Sequence, residues 1–164
     1  MTVRVNWFRF VDLCLTSLLL TGVSVAQTSV SDKTAEKKRV REVMYFEASK
    51  VTASFEKAAV LVEGDKPDSH YKILTGRRDK PGQSELHVKD TDLIYILEGR
   101  ATFVTGGEMI EGKTTAPDET RGSSIKDGTT RKLAKGDVII VPNGVPHQFL
   151  EVSNPFLYYV VKVR

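Results

Sequence analysis

Short apolar runs separated by glycine, proline and polar turns make up most of the chain from Tyr71 to the C-terminus. The runs are rich in β-branched and aromatic residues, which favour strands, while the intervening glycines and prolines favour tight turns. Many short strands with regular turns are typical of an all-β sandwich or barrel. The predicted strands are Tyr71–Thr75, Glu85–Val88, Leu93–Leu97, Ala101–Thr105, Arg131–Leu133, Asp137–Val141, His147–Val152 and Phe156–Val163.

The region before Tyr71 has a different pattern. Residues 28–41 are polar and charged, which predicts a solvated leader to the folded part of the chain. Residues 42–48 are compatible with a short strand. From Ser49 the apolar residues follow helical spacing, so we expect a short helix, capped by Ser49, that packs against the β-structure and ends before Gly64.

The first 26 residues resemble a secretory signal peptide. Two arginines precede an apolar run from Val11 to Val25, and Ser24 and Ala26 provide small residues for a cleavage site before Gln27. We therefore expect a secreted or periplasmic protein with no membrane association after cleavage. An uncleaved anchor is the alternative, although the run is short for a membrane span, which needs about 20 apolar residues.

Charge and cysteine content exclude some functions. The formal net charge is +3, and loss of two arginines and Asp12 with the signal peptide leaves +2 (3 − 2 + 1). So small an excess of positive charge does not indicate nucleic-acid binding. The one cysteine, Cys14, lies in the predicted signal peptide, so the mature chain would contain neither a disulfide nor a thiol nucleophile.

The segment GDVIIVPNGVPHQFLE combines an apolar strand, a rigid turn and one histidine. It begins at Gly136, and Pro142 and Gly144 favour a tight turn that starts the next strand at His147. The spacing resembles the second motif of the cupin superfamily, G-x5-P-x-G-x2-H-x3-N. Only the last position differs, because Glu151 stands in place of asparagine.

An upstream segment, ELHVKDTDLIYILEG, resembles the first cupin motif, H-x-H-x4-E-x6-G. Aligned on Gly99, its second histidine is His87 and its acid is Asp92, while Glu85 replaces the first histidine. In cupins these positions and the motif 2 histidine hold a divalent metal ion inside the barrel. The resemblance therefore implies a metal site formed by Glu85, His87, Asp92 and His147.

The residue types support such a site independently. Side chains alternate along a strand, so Glu85 and His87 share a face, and Asp92 shares its face with Ile94 and Ile96. Two imidazoles and two carboxylates suit Mn, Fe(II), Zn or Ni, and the extra carboxylate favours Mn or Fe. The alternative is a buried His87 satisfied by the protein, with both carboxylates solvated.

The resemblance covers about residues 67–164 and implies a jelly-roll, double-stranded β-helix cupin barrel. Residues 27–66 would form an N-terminal leader with the short strand and helix. A chain of 164 residues suits one domain. Cupins commonly pair through their barrels, and Phe156–Val163 is apolar on both faces, so we expect a homodimer.

A segment between the motifs, residues 106–130, is longer than the shortest spacings expected in a cupin. It is rich in Gly, Thr, Lys and Glu. We expect an extended hairpin or flap near the barrel, which could be a lid or surface decoration.

The reaction stays open, because one barrel supports many chemistries. One hypothesis is a small metal-dependent enzyme, such as a dioxygenase or isomerase, acting on a small organic molecule. The alternative is a non-catalytic small-molecule-binding or sensing protein, with or without metal. Glu151 is a candidate general base, because strict alternation places it on the face of His147, or else a solvated residue. Candidate pocket residues are Tyr71, Ile73, Ile94, Ile96 and Phe149 as walls, with Arg77 or Arg78 to neutralise an anionic substrate.

Overall fold

The computed structural model describes residues 43–63 and 70–164, which form a jelly-roll β-barrel of antiparallel strands. The signal peptide and the leader predicted for residues 1–41 lie outside the described residues. No helix in the described ranges is long and apolar enough to cross a membrane. In chain order the elements are α1 (Ala48–Ser54), β1 (Val60–Val62), β2 (Tyr71–Arg78), β3 (Ser84–His87), β4 (Thr91–Glu98), β5 (Arg100–Thr105), β6 (Glu108–Ile110), β7 (Lys113–Ala116), β8 (Glu119–Gly122), β9 (Ser124–Lys126), β10 (Thr129–Ala134), β11 (Val138–Val141), β12 (His147–Val152) and β13 (Phe156–Val163).

Two main sheets form the barrel. One has the strand order β1-β2-β13-β4-β11, and the other has the order β10-β5-β12-β3-β8-β7. A separate two-stranded pair joins β6 to β9. All eight predicted strands are present; β12 and β13 have the predicted bounds, and the others differ at one or both ends.

Aromatic side chains fill the core between the sheets. Phe103 and Phe156 are fully buried, and their rings both contact the ring of Phe149, at centroid distances of 4.5 and 5.2 Å. Burial of each such side chain stabilises the fold by about 1.5–3 kcal/mol. The core cluster consists of Ile94, Ile96, Ala101, Phe103, Leu133, Val141, Phe149, Phe156 and Tyr158.

Strand β13 is apolar on both faces because it lies in the middle of its sheet, between β2 and β4. Phe156 and Tyr158 face the core. Tyr159 points to the opposite side, where the ring of Phe55 contacts it edge-on at 5.2 Å. The two-sided apolar pattern, from which the sequence predicts a homodimer, is therefore explained within one chain.

The N-terminal part of the described chain differs from the prediction. Residues 43–47 form no strand, and the helix begins directly after them at Ala48. The N-cap residue is Glu47, without a side-chain cap, so Ser49 lies inside the helix. The helix is tied to the sheet because the Thr75 hydroxyl donates to the Ser54 carbonyl at 3.0 Å.

Strand β1 was not predicted and lies within the segment assigned to the leader. It pairs with β2, Val60 opposite Leu74 and Val62 opposite Ile73. A run of only three apolar residues gives too little periodicity to distinguish a strand from a loop.

The long segment between the motifs contains the expected hairpin, but not as a free flap. Strands β7 and β8 pair with each other, and β8 also pairs with β3. The six-stranded sheet is thereby extended beside the predicted ligand strand. This pairing brings Glu119 and Arg121 to the cavity of the barrel.

The turn of the second motif connects the two motifs. Gly144 has a φ of 75°, which favours glycine, and its amide donates to the His87 carbonyl at 2.7 Å. The Asn143 side chain donates to the Val88 carbonyl at 3.1 Å. The turn therefore fixes the end of β3 beside the start of β12.

Candidate metal centre

Three neighbouring strands of the larger sheet carry the site. Strand β3 lies between β12 and β8, and Glu85 is directly opposite His147 on one side and Arg121 on the other. His87, two residues further along β3, is opposite Glu119. Cross-strand register alone thus brings together residues far apart in sequence.

Glu85, His87 and His147 form a cluster that could hold a metal ion. One potential ligand atom from each lies within 4.8 Å of the others. The two histidines are buried, and their ring centroids are 5.3 Å apart. We call these three residues the donor cluster.

The His147 ring has a defined orientation. Its Nδ1 atom lies 3.3 Å from the Val145 carbonyl, so an Nδ1–H tautomer would turn an unprotonated Nε2 toward the cluster. Burial lowers the pKa of His147 and outweighs the charges of Asp92 and Glu85, which raise it. A neutral imidazole is the form that binds metal ions.

The Nε2 atom of His87 is buried and makes no hydrogen bond within the described part of the chain. It lies 3.4 Å from Asp92 Oδ2 and 3.9 Å from Glu85 Oε2. An unsatisfied buried polar atom costs about 1–3 kcal/mol, so its retention needs an explanation. A metal ion would supply the missing partner, and the donor cluster therefore fits one.

Asp92, the fourth predicted ligand, is held differently. The Lys162 ammonium donates to its two carboxylate oxygens at 2.7 and 2.9 Å. Burial alone would raise the pKa of Asp92. The His87 imidazole and Lys162 together have the larger, opposite effect, so the pKa lies below its usual value. Asp92 lies beside the donor cluster as a paired anion.

The alternative interpretation of the sequence places Glu85 in solvent. In the structure its side chain is only 16% exposed. Its Oε1 atom accepts hydrogen bonds from Arg78 Nη2 at 3.1 Å and Arg121 Nη1 at 3.0 Å. Burial raises the pKa of Glu85, but Arg121, Arg78 and the two histidines bring it below its usual value. Its Oε2 atom faces His87.

Arg121 is a site residue that sequence reasoning missed. It belongs to β8 in the long segment, and its Nε donates to Glu119 at 2.6 Å. The signal in the sequence is the alternation of Glu119 and Arg121, which places both side chains on one face of a strand. Their distance from the motifs along the chain conceals the contact.

Arg78 is fixed by aromatic neighbours. Its Nε donates to the Tyr158 hydroxyl at 3.1 Å, and its guanidinium lies 5.0 Å from the centroid of the Phe149 ring. Gly76 makes room for Tyr158, because a Cβ at this position would overlap the tyrosine ring. Arg78, not Arg77, is therefore the arginine that reaches the donor cluster.

A cavity of about 530 Å³ opens over the donor cluster, a size that suits a small organic molecule. Ile94, Phe149 and Arg77 line it. Arg77, however, pairs with Asp79. The walls also include Lys72, Leu74, Arg78, Glu119, Arg121, Tyr158, Val160 and Lys162.

Three of the predicted pocket residues do not line this cavity. In the first part of β2, Tyr71 and Ile73 alternate with Lys72 and Leu74, and it is Lys72 and Leu74 that line the cavity. A shift of one residue reverses the faces of a strand, and this explains the error. Ile96 is fully buried in the core cluster.

Glu151 does not share the face of His147. A bulge in β12 leaves Phe149 opposite Phe103 and Glu151 opposite Thr102, so the alternation shifts by one residue. The Glu151 side chain is 72% exposed and binds Lys132 at 3.2 Å. The pKa of Glu151 is lowered by a hydrogen bond from the Thr102 hydroxyl and by Lys132. The structure therefore removes the shared face that made Glu151 a candidate general base.

The family model described as Cupin matches residues 69–164, which is more than half of the chain. No curated protein matches the chain. Among solved structures, a conserved protein of unknown function from Streptococcus pyogenes is 20% identical, with a TM-score of 0.45 over 65% of this chain and 72% of that one. A predicted oxalate decarboxylase from Thermotoga maritima is 14% identical, with a TM-score of 0.46 over 65% and 77%. A cupin 2 conserved barrel domain protein from Rhodopseudomonas palustris is 17% identical, with a TM-score of 0.44 over 65% and 59%.

Proposed function

The chain belongs to the cupin family, and we propose that its barrel binds one divalent metal ion and acts as a small metal-dependent enzyme on a small organic molecule. One observation carries the proposal: the buried Nε2 of His87 lacks a hydrogen-bond partner in the described residues, beside Glu85 and His147. Since the cavity opens directly over these atoms, a substrate could reach an ion held there.

Glu85, His87 and His147 would hold the ion, and Asp92 could join them if Lys162 moved away. This donor set suits Mn, Fe(II), Zn or Ni, with Mn or Fe favoured by the carboxylates. Such an ion supplies Lewis-acid chemistry and, if it is redox active, one-electron chemistry. Fewer protein ligands than the ion can accept would leave a position for the substrate.

The chain's own residues would prepare the site. The Val145 carbonyl orients the His147 ring, and Ile94 and Phe149 give the cavity an apolar wall. Arg78 is held by the Tyr158 hydroxyl and presents a fixed positive charge beside the donor cluster. These groups would place an anionic substrate and exclude competing reactions.

The experiment is elemental analysis of the protein purified without chelators. The expected content is about one divalent ion per chain. His147→Ala should lose most of it, whereas His70→Ala, a substitution of the exposed third histidine outside the cavity, should retain it. Full metal retention in His147→Ala, or no metal in the wild type, would overturn the proposal. Oxygen-consumption and product screens with phenols, organic acids and sugars then identify the reaction.

A second candidate is a metal-free binding or sensing protein. The observation that favours it is that protein cations already pair with both carboxylates: Lys162 with Asp92, and Arg78 and Arg121 with Glu85. A wild-type protein that contains no metal, shows no turnover and still binds a small molecule would support this candidate.

We also propose export with cleavage after Ala26. The support is the N-terminal sequence alone. N-terminal sequencing of protein from the envelope or culture medium should begin at Gln27. A cytoplasmic protein that begins at Met1 or Thr2 would contradict this.

We also propose that the protein forms a homodimer, through a surface other than β13. Strand β11 is the edge of its sheet, and its exposed residues Val138 and Ile140 pair with exposed Tyr95 and Leu93 of β4. An apolar patch of this kind next to a sheet edge favours association. Solution scattering at micromolar concentration should give a dimer mass, and a monomer mass would contradict the proposal.

A further inference from the structure

Three cationic side chains converge on the cavity from three different strands. Arg78 comes from β2, Arg121 from β8 and Lys162 from β13, and we call them the cation triad. Their side chains are 21%, 35% and 17% exposed. Each contacts a carboxylate that lies within hydrogen-bond distance, so none is simply a solvated surface charge.

Six charged side chains that pair with one another at the donor cluster, a subset of the charged residues that line the cavity, are balanced in charge without a metal ion. The cation triad contributes three positive charges, and Glu85, Asp92 and Glu119 contribute three negative charges, which gives 3 − 3 = 0. A divalent ion in the donor cluster would change this to +2. Uncompensated charge in a partly buried site is unfavourable, so an anion that enters with the metal ion would restore the balance.

The same contacts would supply donors to that anion. Glu85 Oε1 is shared by Arg78 and Arg121, and a metal ion on Glu85 would compete with both guanidinium groups for its electron density. The hydrogen bonds from Lys162 to Asp92 would likewise weaken if that carboxylate turned toward the ion. N–H groups that lost their acceptor would need a new one, and all three cationic side chains line the cavity.

Arg121 is the member of the triad best placed to meet a ligand. It is the most exposed of the three, and it comes from the segment that extends the sheet at the cavity wall. Its Nε donates to Glu119 and its Nη1 to Glu85, and no hydrogen bond of its Nη2 is found within the described ranges. A guanidinium fork is suited to a carboxylate.

We propose that the metal-loaded cavity binds a small dianionic organic acid through Arg121 and Arg78, and that metal and acid bind cooperatively. The inference rests on the proposed metal site and adds the class of ligand. A dianion matches the +2 charge that the metal ion would add to these six balanced groups, and a cavity of about 530 Å³ has room for a small acid.

The test is calorimetric titration of succinate into the intact protein, once stripped with chelator and once loaded with Mn²⁺. Succinate should bind about tenfold or more tightly to the loaded protein. Neutral succinamide should not show this gain. Equal succinate affinity in the two states, or tighter binding of inorganic phosphate than of succinate, would overturn the inference.

Variants separate recognition from metal binding. Arg121→Ala should weaken succinate binding to the loaded protein by about tenfold or more without weakening Mn²⁺ binding. Arg131→Ala is the matched control, because Arg131 is exposed and binds only Thr105 among the described contacts. If circular dichroism shows that Arg121→Ala is unfolded, Arg121→Gln replaces it. Unchanged succinate affinity in the folded variant would overturn the role of Arg121.

Failure of the inference can be distinguished from failure of the metal proposal. If the wild type binds none of Mn²⁺, Fe²⁺, Zn²⁺ and Ni²⁺, both are wrong. If it binds Mn²⁺ but shows no coupling to succinate, only the ligand inference is wrong and the metal site stands.

Discussion

Lys162 donates to both carboxylate oxygens of Asp92, at 2.7 and 2.9 Å, from the directly opposite position on the neighbouring strand. The cupin resemblance assigns this carboxylate to a metal ion, so an ion that used Asp92 would have to compete with an ammonium group of the protein. We therefore expect the metal-free site to be closed by Lys162, and metal binding through Asp92 would require that this ion pair open.

Lys162→Met tests this competition. Removal of one partner from a buried ion pair costs about 3–5 kcal/mol, so the chelator-stripped variant should have a lower free energy of unfolding in urea. Its Mn²⁺ affinity should rise, because Asp92 becomes available. Lys132→Met is the control, since the Lys132–Glu151 pair is exposed and such pairs contribute about 0–1 kcal/mol. Wild-type stability and wild-type Mn²⁺ affinity in Lys162→Met would refute the competition.

Glu85 is the position at which this chain departs from the cupin motif, and two substitutions define its role. Glu85→Gln removes the anionic donor while keeping the shape, and should weaken Mn²⁺ binding by about tenfold or more. Glu85→His should shift the preference toward Zn or Ni, because imidazole is a softer donor. Competition titrations with Mn²⁺ and Zn²⁺ measure both effects. Identical metal affinities in wild type and both variants would show that Glu85 serves only to pair with Arg78 and Arg121.

Gly76 should be hard to replace, because any side chain there overlaps the Tyr158 ring that supports Arg78. Gly76→Ala should lower the free energy of unfolding by about 1–3 kcal/mol, the usual cost of overpacking. Gly112→Ala is a milder control, since its nearest neighbours lie at 3.2 and 3.3 Å. Equal urea midpoints for the wild type and both variants would contradict the close fit.

Stability of the metal-free protein should fall in acid. Burial lowers the pKa of His147 from its ordinary 6.5, so the unfolded state takes up a proton first and stability declines as the pH falls through that value. Glu85 and Asp92 have pKa values below their ordinary 4.5 and 3.8, because nearby cations outweigh burial. Their contribution is present above these values and is lost as the pH falls through the folded-state values. Urea unfolding across this range in chelator checks the decline, and constant stability would contradict it.

Local patterns predicted much of this molecule. Alternation of side chains along β3 and β4 and the Pro142–Gly144 turn are encoded within short stretches of sequence, and the structure brings Glu85, His87 and His147 together as those stretches imply. The positions of these residues depend on strand order in a barrel that the two motifs already indicate.

The errors arise where one residue of register decides the outcome. A bulge in β12 turns Glu151 to the surface, and on β2 the residues that line the cavity include Lys72 and Leu74 instead of Tyr71 and Ile73. Strict alternation cannot anticipate a bulge, because a bulge is set by pairing with another strand.

Pairing between strands that are far apart in sequence explains the features that the sequence did not predict. Arg121 reaches Glu85 only because β8 pairs with β3 across a separation of 36 residues. Similarly, β13 is apolar on both faces because it is central in its sheet. Neither relationship has a local signature in the sequence.

Titration of Mn²⁺ into chelator-stripped protein by calorimetry tests the central claim most directly, with His87→Ala as the decisive variant. His87 Nε2 is the buried atom that lacks a hydrogen-bond partner among the described residues. The wild type and the His70→Ala control should bind about one ion per chain, and His87→Ala should bind none at the same concentrations. If folded His87→Ala binds Mn²⁺ with the stoichiometry and affinity of the wild type, the donor cluster is not a metal site.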